Sequence, residues 1–168
     1  MKAIVYTSAT GFTEKYARLL SEKTGLPAYE LAQARSRLAS DDEMLYMGWL
    51  FAGGVKGLKK AQKLCTVKGV CAVGMTPPSE QNMEQLKKRA GWSGDGFFVL
   101  QGGYAPEKLR GLNKILLNKV TGSMIKKLEA KTDRSSEEEE MLEGLKNGFD
   151  GVSAEAVEPV AAWLQKKS

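Results

Sequence analysis

The stretch IVYTSATGFTEKYARLL, residues 4–20, decides how this chain is read. An apolar run, Ile4-Val5-Tyr6, stops at Thr7. Small and hydroxyl residues follow from Ser8 to Gly11, then come Phe12 and Thr13, and apolar residues resume at Tyr16, Ala17, Leu19 and Leu20 with helical spacing. This is a strand, a tight loop and a helix. A loop so placed points backbone N–H groups outward, and the start of the helix adds positive potential. Ser8, Thr10 and Thr13 add hydroxyl donors, and Gly11 lets a ligand approach the backbone. The collection suits a phosphate held by neutral donors, because no lysine or arginine lies between Thr7 and Thr13. Other phosphate loops fit badly: there is no Gly-Lys-Ser/Thr anywhere, and Gly11 is the only glycine of the turn. The plain alternative is that the three hydroxyls only cap a helix.

Strand and helix signals alternate outward from this unit. Strands are expected at 2–7, 28–31, 44–49, 69–75 and 97–101, and helices at 13–24, 55–64, 80–90 and 154–166. Gly25 and Pro27 close the first helix, and Ser79 stands where it could cap the third. The alternation predicts an α/β fold, a five-stranded parallel sheet between helical layers. One topology the crossover rule leaves is the order 2-1-3-4-5, with its ligand beyond the carboxyl ends of the strands near the switch point. The chain reads as a single domain, 1–168, with an insertion at about 104–153. Within it Leu109, Leu112, Leu116, Val120, Met124 and Leu128 recur at spacings of three and four among basic residues. Ser135-Ser136 followed by four glutamates reads as an N-cap and an acidic first turn. The insertion therefore predicts one or two helices.

Composition removes several chemistries. The chain has no histidine, which excludes Ser-His-Asp and Cys-His hydrolysis and most zinc sites, and no metal site is expected. Two cysteines, Cys65 and Cys71, form no CxxC pair, and no run approaches membrane-spanning length. The N-terminus reads as a strand, so the cytoplasm is the expected compartment, with association at a membrane surface as a variant. The net charge is +5. Without zinc-finger spacing or ribonucleoprotein motifs, that charge does not argue for nucleic acid.

Residues 4–20 resemble the flavodoxin signature at the apolar pair and aromatic of 4–6 and at Ser8, Gly11, Thr13, Ala17 and Leu20. The resemblance implies FMN, its 5′-phosphate wrapped by Ser8, Ala9, Thr10, Gly11, Phe12 and Thr13. It implies loops bracketing the flavin ring at 48–54 and 75–79, with Gly48, Trp49, Leu50, Phe51, Ala52, Gly53, Thr76 and Pro77 as contacts. Trp49 is the expected stacking residue, with Phe51 second. A third loop, 101–104, brings Gln101, Gly102, Gly103 and Tyr104. The segment Gly102-Gly103-Tyr104, Leu109, Leu112 to Leu117 and Val120-Thr121-Gly122 is similar to the insertion of flavodoxin-type protoporphyrinogen oxidases, although the acidic stretch at 137–143 makes it longer.

Two versions of FMN chemistry stay open: an electron carrier, and an oxidase that passes electrons from a substrate such as a porphyrinogen to a quinone. No residue is assigned a catalytic role. A redox protein, a quinone or a small substrate is the expected partner. The basic insertion 106–131 is read either as a solvated helix or as a surface that docks on a membrane or partner. The reading from another class is a flavodoxin-fold binding module without FMN.

Overall fold

The computed structural model describes residues 1–167; the side chains of Glu80, Gln81, Asn82 and Asn113 lie outside that description. Strand β1, Ala3–Thr7, buries Ala3, Ile4 and Val5 completely, as a strand covered on both faces must. Helix α1, Phe12–Thr24, ends at Gly25 in the left-handed conformation. Then come β2 (Ala28–Glu30), α2 (Leu31–Ala34), β3 (Glu43–Phe51), β4 (Gly54–Val55), α3 (Leu58–Leu64), β5 (Thr66–Gly74), α4 (Glu80–Arg89) and β6 (Gly96–Gln101). A second unit, 103–151, holds β7 (Gly103–Tyr104), α5 (Gly111–Glu129), α6 (Ser136–Asn147) and β8 (Phe149–Asp150). Helix α7, Glu158–Lys166, returns to the first unit.

The main sheet runs β2-β1-β3-β5-β6, all parallel, with β4 paired antiparallel to the end of β3. Leaving β4 aside, this is the flavodoxin-like order 2-1-3-4-5. Ala34, Leu58, Ala61, Met83 and Leu86 of α2, α3 and α4 pack on Val5, Tyr46, Val70 and Ala72 on one face. Helices α1 and α7 cover the other. Trp163 of α7 lies against Gly69 and Gly96, which are register partners on β5 and β6. A Cβ at either glycine would come within 2.7 Å of the indole.

Two helices start later than expected: the last, expected at 154–166, begins at Glu158 after a 3-10 turn over Glu155–Val157. The helix expected at 55–64 starts three residues late, at Leu58, because Val55 pairs with Leu50 and Gly57 forms the helix start at φ 85°. Under Gly57 lies the phenol of Tyr46, which is fully buried. The Tyr46 hydroxyl is 2.7 Å from the Lys56 carbonyl and 2.8 Å from Thr7 Oγ1. A phenol has one hydrogen; the carbonyl can only accept, so it takes that hydrogen, and the Thr7 hydroxyl supplies the other bond. Both cysteines are free and buried, and burial pushes both thiols up.

In the second unit the Ser135 cap is present as a capping box, closed by Glu138. Lys131 and the Ser135 N–H hold the Glu138 carboxyl below its usual range. The apolar spacing of α5 does not form one buried face. Leu112, Leu116 and Val120 are exposed, whereas Met124 and Leu128 are half-buried and Leu109, which precedes the helix, is buried. At about 100° per residue, each step of four drifts roughly 40° around the helix. The run from Leu112 to Leu128 therefore passes from one side to the other.

Burial pushes the Tyr46 pKa up from 10.0 to about 12, despite the opposing hydrogen bond with Thr7. The unfolded phenol thus ionises first, and stability is lost as the pH rises above its ordinary value. Urea unfolding should show a decline of roughly 1.4 kcal/mol per pH unit in that alkaline window. Tyr46→Phe should remove the slope and cost about 1–3 kcal/mol at neutral pH, by leaving the Lys56 carbonyl unpaired.

Candidate functional site

Four segments of the first unit stand in a row at the carboxyl ends of β1, β3, β5 and β6, two of them flanking the switch point between β1 and β3. At β1, the Ser8 hydroxyl oxygen accepts from the Gly11 N–H at 3.0 Å and closes the loop. Gly11, φ 97°, is the helix N-cap, and its carbonyl takes the first intrahelical bond, from Lys15 at 2.9 Å. No side chain caps α1. The hydroxyls therefore do not act as a helix cap, and the N–H groups of Phe12, Thr13 and Glu14 are left without an intrahelical partner. Nothing lies within 4 Å of where a Gly11 side chain would begin, so the turn faces open space. Thr10 is half-buried and Ala9 exposed, whereas Thr13 is only 2% exposed. Because its oxygen already accepts one bond, Ser8 still has its own hydrogen to donate.

The segment 48–54, expected as a loop, is the end of β3 and a hairpin. Leu50 pairs with Val55 and Phe51 with Gly54. Ala52 (φ 50°) and Gly53 (φ 79°) make the two-residue turn, both with positive φ as a hairpin of this length favours. Alternation along the strand puts Trp49 and Phe51 on one face and Leu50 on the other. The two rings meet edge to face at 5.4 Å. Lys56 sits over both, its Nζ 5.9 Å from the Trp49 ring and 5.7 Å from Phe51. Arg89 of α4 lies against Gly53. Gly48 is buried under the returning hairpin, where a Cβ would stand 2.5 Å from the Lys56 carbonyl. That close approach is what requires its glycine.

Thr76 and Pro77 are exposed after β5. Gln101 is the last residue of β6, not part of a loop. Its carbonyl accepts from the Tyr16 hydroxyl at 2.6 Å, and the same phenol accepts from the Ser153 N–H at 3.3 Å. The Gly102 N–H bonds the Gly74 carbonyl at 2.6 Å, and a Cβ there would press on Val73 and on Phe12. Gly103 and Tyr104, expected to continue this loop, belong to the second unit. They pair there with Asp150 and Phe149, and the Tyr104 hydroxyl lies 3.2 Å from Thr121 Oγ1. The sequence reading missed Lys56, since 55–64 looked like one helix. Thr7 also lines a cleft of about 590 Å³, together with Glu30, Arg35, Lys60 and Lys63.

No protein-family model matches the chain, and no curated protein matches its sequence. Among solved structures, the Trp repressor binding protein from Bacillus subtilis is 16% identical with a TM-score of 0.40, over 65% of this chain and 88% of that one. The metal-soaked Flv1 flavodiiron core from Synechocystis sp. PCC6803 is 16% identical with a TM-score of 0.38, over 59% of this chain and 30% of that one. Neither similarity bears on ligand or activity.

Ala52 occupies a conformation that disfavours a side chain lacking a polar tip. Ala52→Asn should stabilise the protein by about 0.5–1 kcal/mol in urea unfolding, and should leave the hairpin in place.

Proposed function

We propose that the chain binds FMN and serves in electron transfer or FMN-dependent oxidation. The observation that supports this most is the uncapped start of α1, opening onto free space at the switch point of a flavodoxin-like sheet. Its free N–H groups, with the Ser8 and Thr10 hydroxyls, would hold the phosphate. Thr13, being buried, would contribute through its backbone. The Trp49–Phe51 pair would offer the ring an aromatic wall, with Thr76, Pro77 and Gln101 at the neighbouring strand ends. FMN, when bound, supplies the redox chemistry. The protein's part is to bind, orient and set electrostatics. Lys56, held over the aromatic pair, and Arg89, against the hairpin tip, place positive charge where it would favour a more negative ring.

An electron carrier needs no general base, which agrees with a chain lacking histidine. The oxidase version adds a substrate such as a porphyrinogen and a quinone acceptor, and it rests on the resemblance of the inserted segment alone.

Purified protein should carry FMN, identified by visible absorption and by mass after release. Titration should show riboflavin binding at least about a hundredfold more weakly than FMN, since it lacks the charge that the helix start receives. Thr10→Val should weaken FMN roughly tenfold. Equal affinity for FMN and riboflavin would remove the phosphate assignment. A protein that refuses both flavins would leave the binding-module reading in front. Trp49→Ala should shift the flavin spectrum or potentials; if neither moves, Trp49 is a packing residue. Oxidation of a porphyrinogen with quinone as acceptor separates oxidase from carrier.

A further inference from the structure

Helix α5 presents two different faces. Leu117, Thr121, Met124, Ile125 and Leu128 are buried or half-buried on one side, and α5 packs on α6. The opposite side begins with four large aliphatic residues in water: Leu112 is 77% exposed, Ile115 66%, Leu116 44% and Val120 49%. At about 100° per residue these four share one outward face. Toward the helix end the same side becomes a shallow groove of about 590 Å³, lined by Gly122, Ser123 and Ala130 with Lys119, Lys126 and Lys127. From Lys108 to Leu128 the sequence has six cations and no carboxylate. Lys114, Lys119, Lys126 and Lys127 form no ion pair among the described residues. The acidic run of this unit is gathered on α6.

We propose that the outward face of α5 docks on a membrane surface bearing anionic lipid. The aliphatic first half would enter the acyl boundary. The lysines would reach phosphates at the headgroup level, with their stems along the apolar surface. Among the described residues no helix is long and apolar enough to cross a bilayer, so this one lies on the surface. Charge complementarity selects the occupant. A second copy docked face to face would set these cations against themselves, which like-charge repulsion disfavours. A neutral apolar partner would leave the lysines without counter-charge. The segregation of acid onto α6 orients the unit with α5 toward an anionic surface. This proposal does not depend on FMN.

Flotation of the full chain with vesicles tests it, using phosphatidylcholine alone and phosphatidylcholine mixed in equal parts with phosphatidylglycerol. The expected result is binding to the anionic vesicles that weakens as salt rises. Leu112→Ser with Ile115→Ser should weaken it tenfold or more, roughly. Lys119→Gln, Lys126→Gln and Lys127→Gln should each weaken it about fivefold. Circular dichroism checks that each variant keeps its helices. Leu116→Trp gives a second measurement on an intact surface: its emission should shift to the blue with anionic vesicles. No binding to either vesicle, equal binding to both, or an unshifted Leu116→Trp emission would overturn the proposal. So would a self-associated wild type that Leu112→Ser with Ile115→Ser converts to monomer, since a second copy would then be the occupant.

Discussion

The buried phenol of Tyr46 holds the carboxyl edge of the first unit's sheet together. It bridges Thr7, the last residue of β1, and the carbonyl of Lys56, where the chain leaves the β4 hairpin. The residue after that carbonyl, Gly57, has no room for a side chain: a Cβ would stand 2.1 Å from the phenol oxygen. One side chain therefore sets the end of β1, the return of the hairpin and the start of α3. A phenol is neutral at physiological pH, and burial extends that neutrality into the alkaline range, so the bridge carries no charge that would need a counter-ion.

The candidate site inherits its geometry from that edge. The loop after Thr7 opens an uncapped helix start, and the hairpin after Gly48 carries Trp49, Phe51 and the cation of Lys56. Tyr16 on α1 ties the end of β6 to the segment leading into α7. Helix α1 thus leaves its N-terminus open and turns its buried phenol to the scaffold. Glycine serves this edge by close approach more than by mobility. Gly48, Gly57 and Gly102 each sit where a Cβ would collide with a neighbouring segment.

The second unit is organised differently. Its capping box and ion pairs, Lys131 with Glu138 and Lys146 with Glu129, are surface interactions of small individual worth. Within this unit much of α5 stays uncovered, including large aliphatic side chains that a water-facing helix ordinarily lacks. This exposed aliphatic surface is the observation on which the proposed docking face rests.

Much of the first unit was legible in residues 4–20 and in the strand–helix alternation. Strand periodicity, glycine at a left-handed turn and small residues where a helix meets a sheet are local requirements, and the chain writes them locally. The Ser135 cap was legible for the same reason: its partners lie within one helical turn. The β4 hairpin was not, because Val55-Lys56-Gly57-Leu58 suits a helix start until Leu50 is present to pair with Val55. Nor could spacing say which side of α5 is buried, since steps of four drift around the helix and two stripes fit one pattern. Residues 4–20 and the strand–helix alternation were enough for the strand–loop–helix unit, the α/β class and the close of α1 at Gly25, with the order 2-1-3-4-5 as one of the topologies left open. That Lys56 stands over Trp49 and Phe51, that Tyr104 pairs with Phe149, and that Leu112 and Ile115 face water came only with the folded chain. Those facts depend on partners far along the chain, whose positions no local preference encodes.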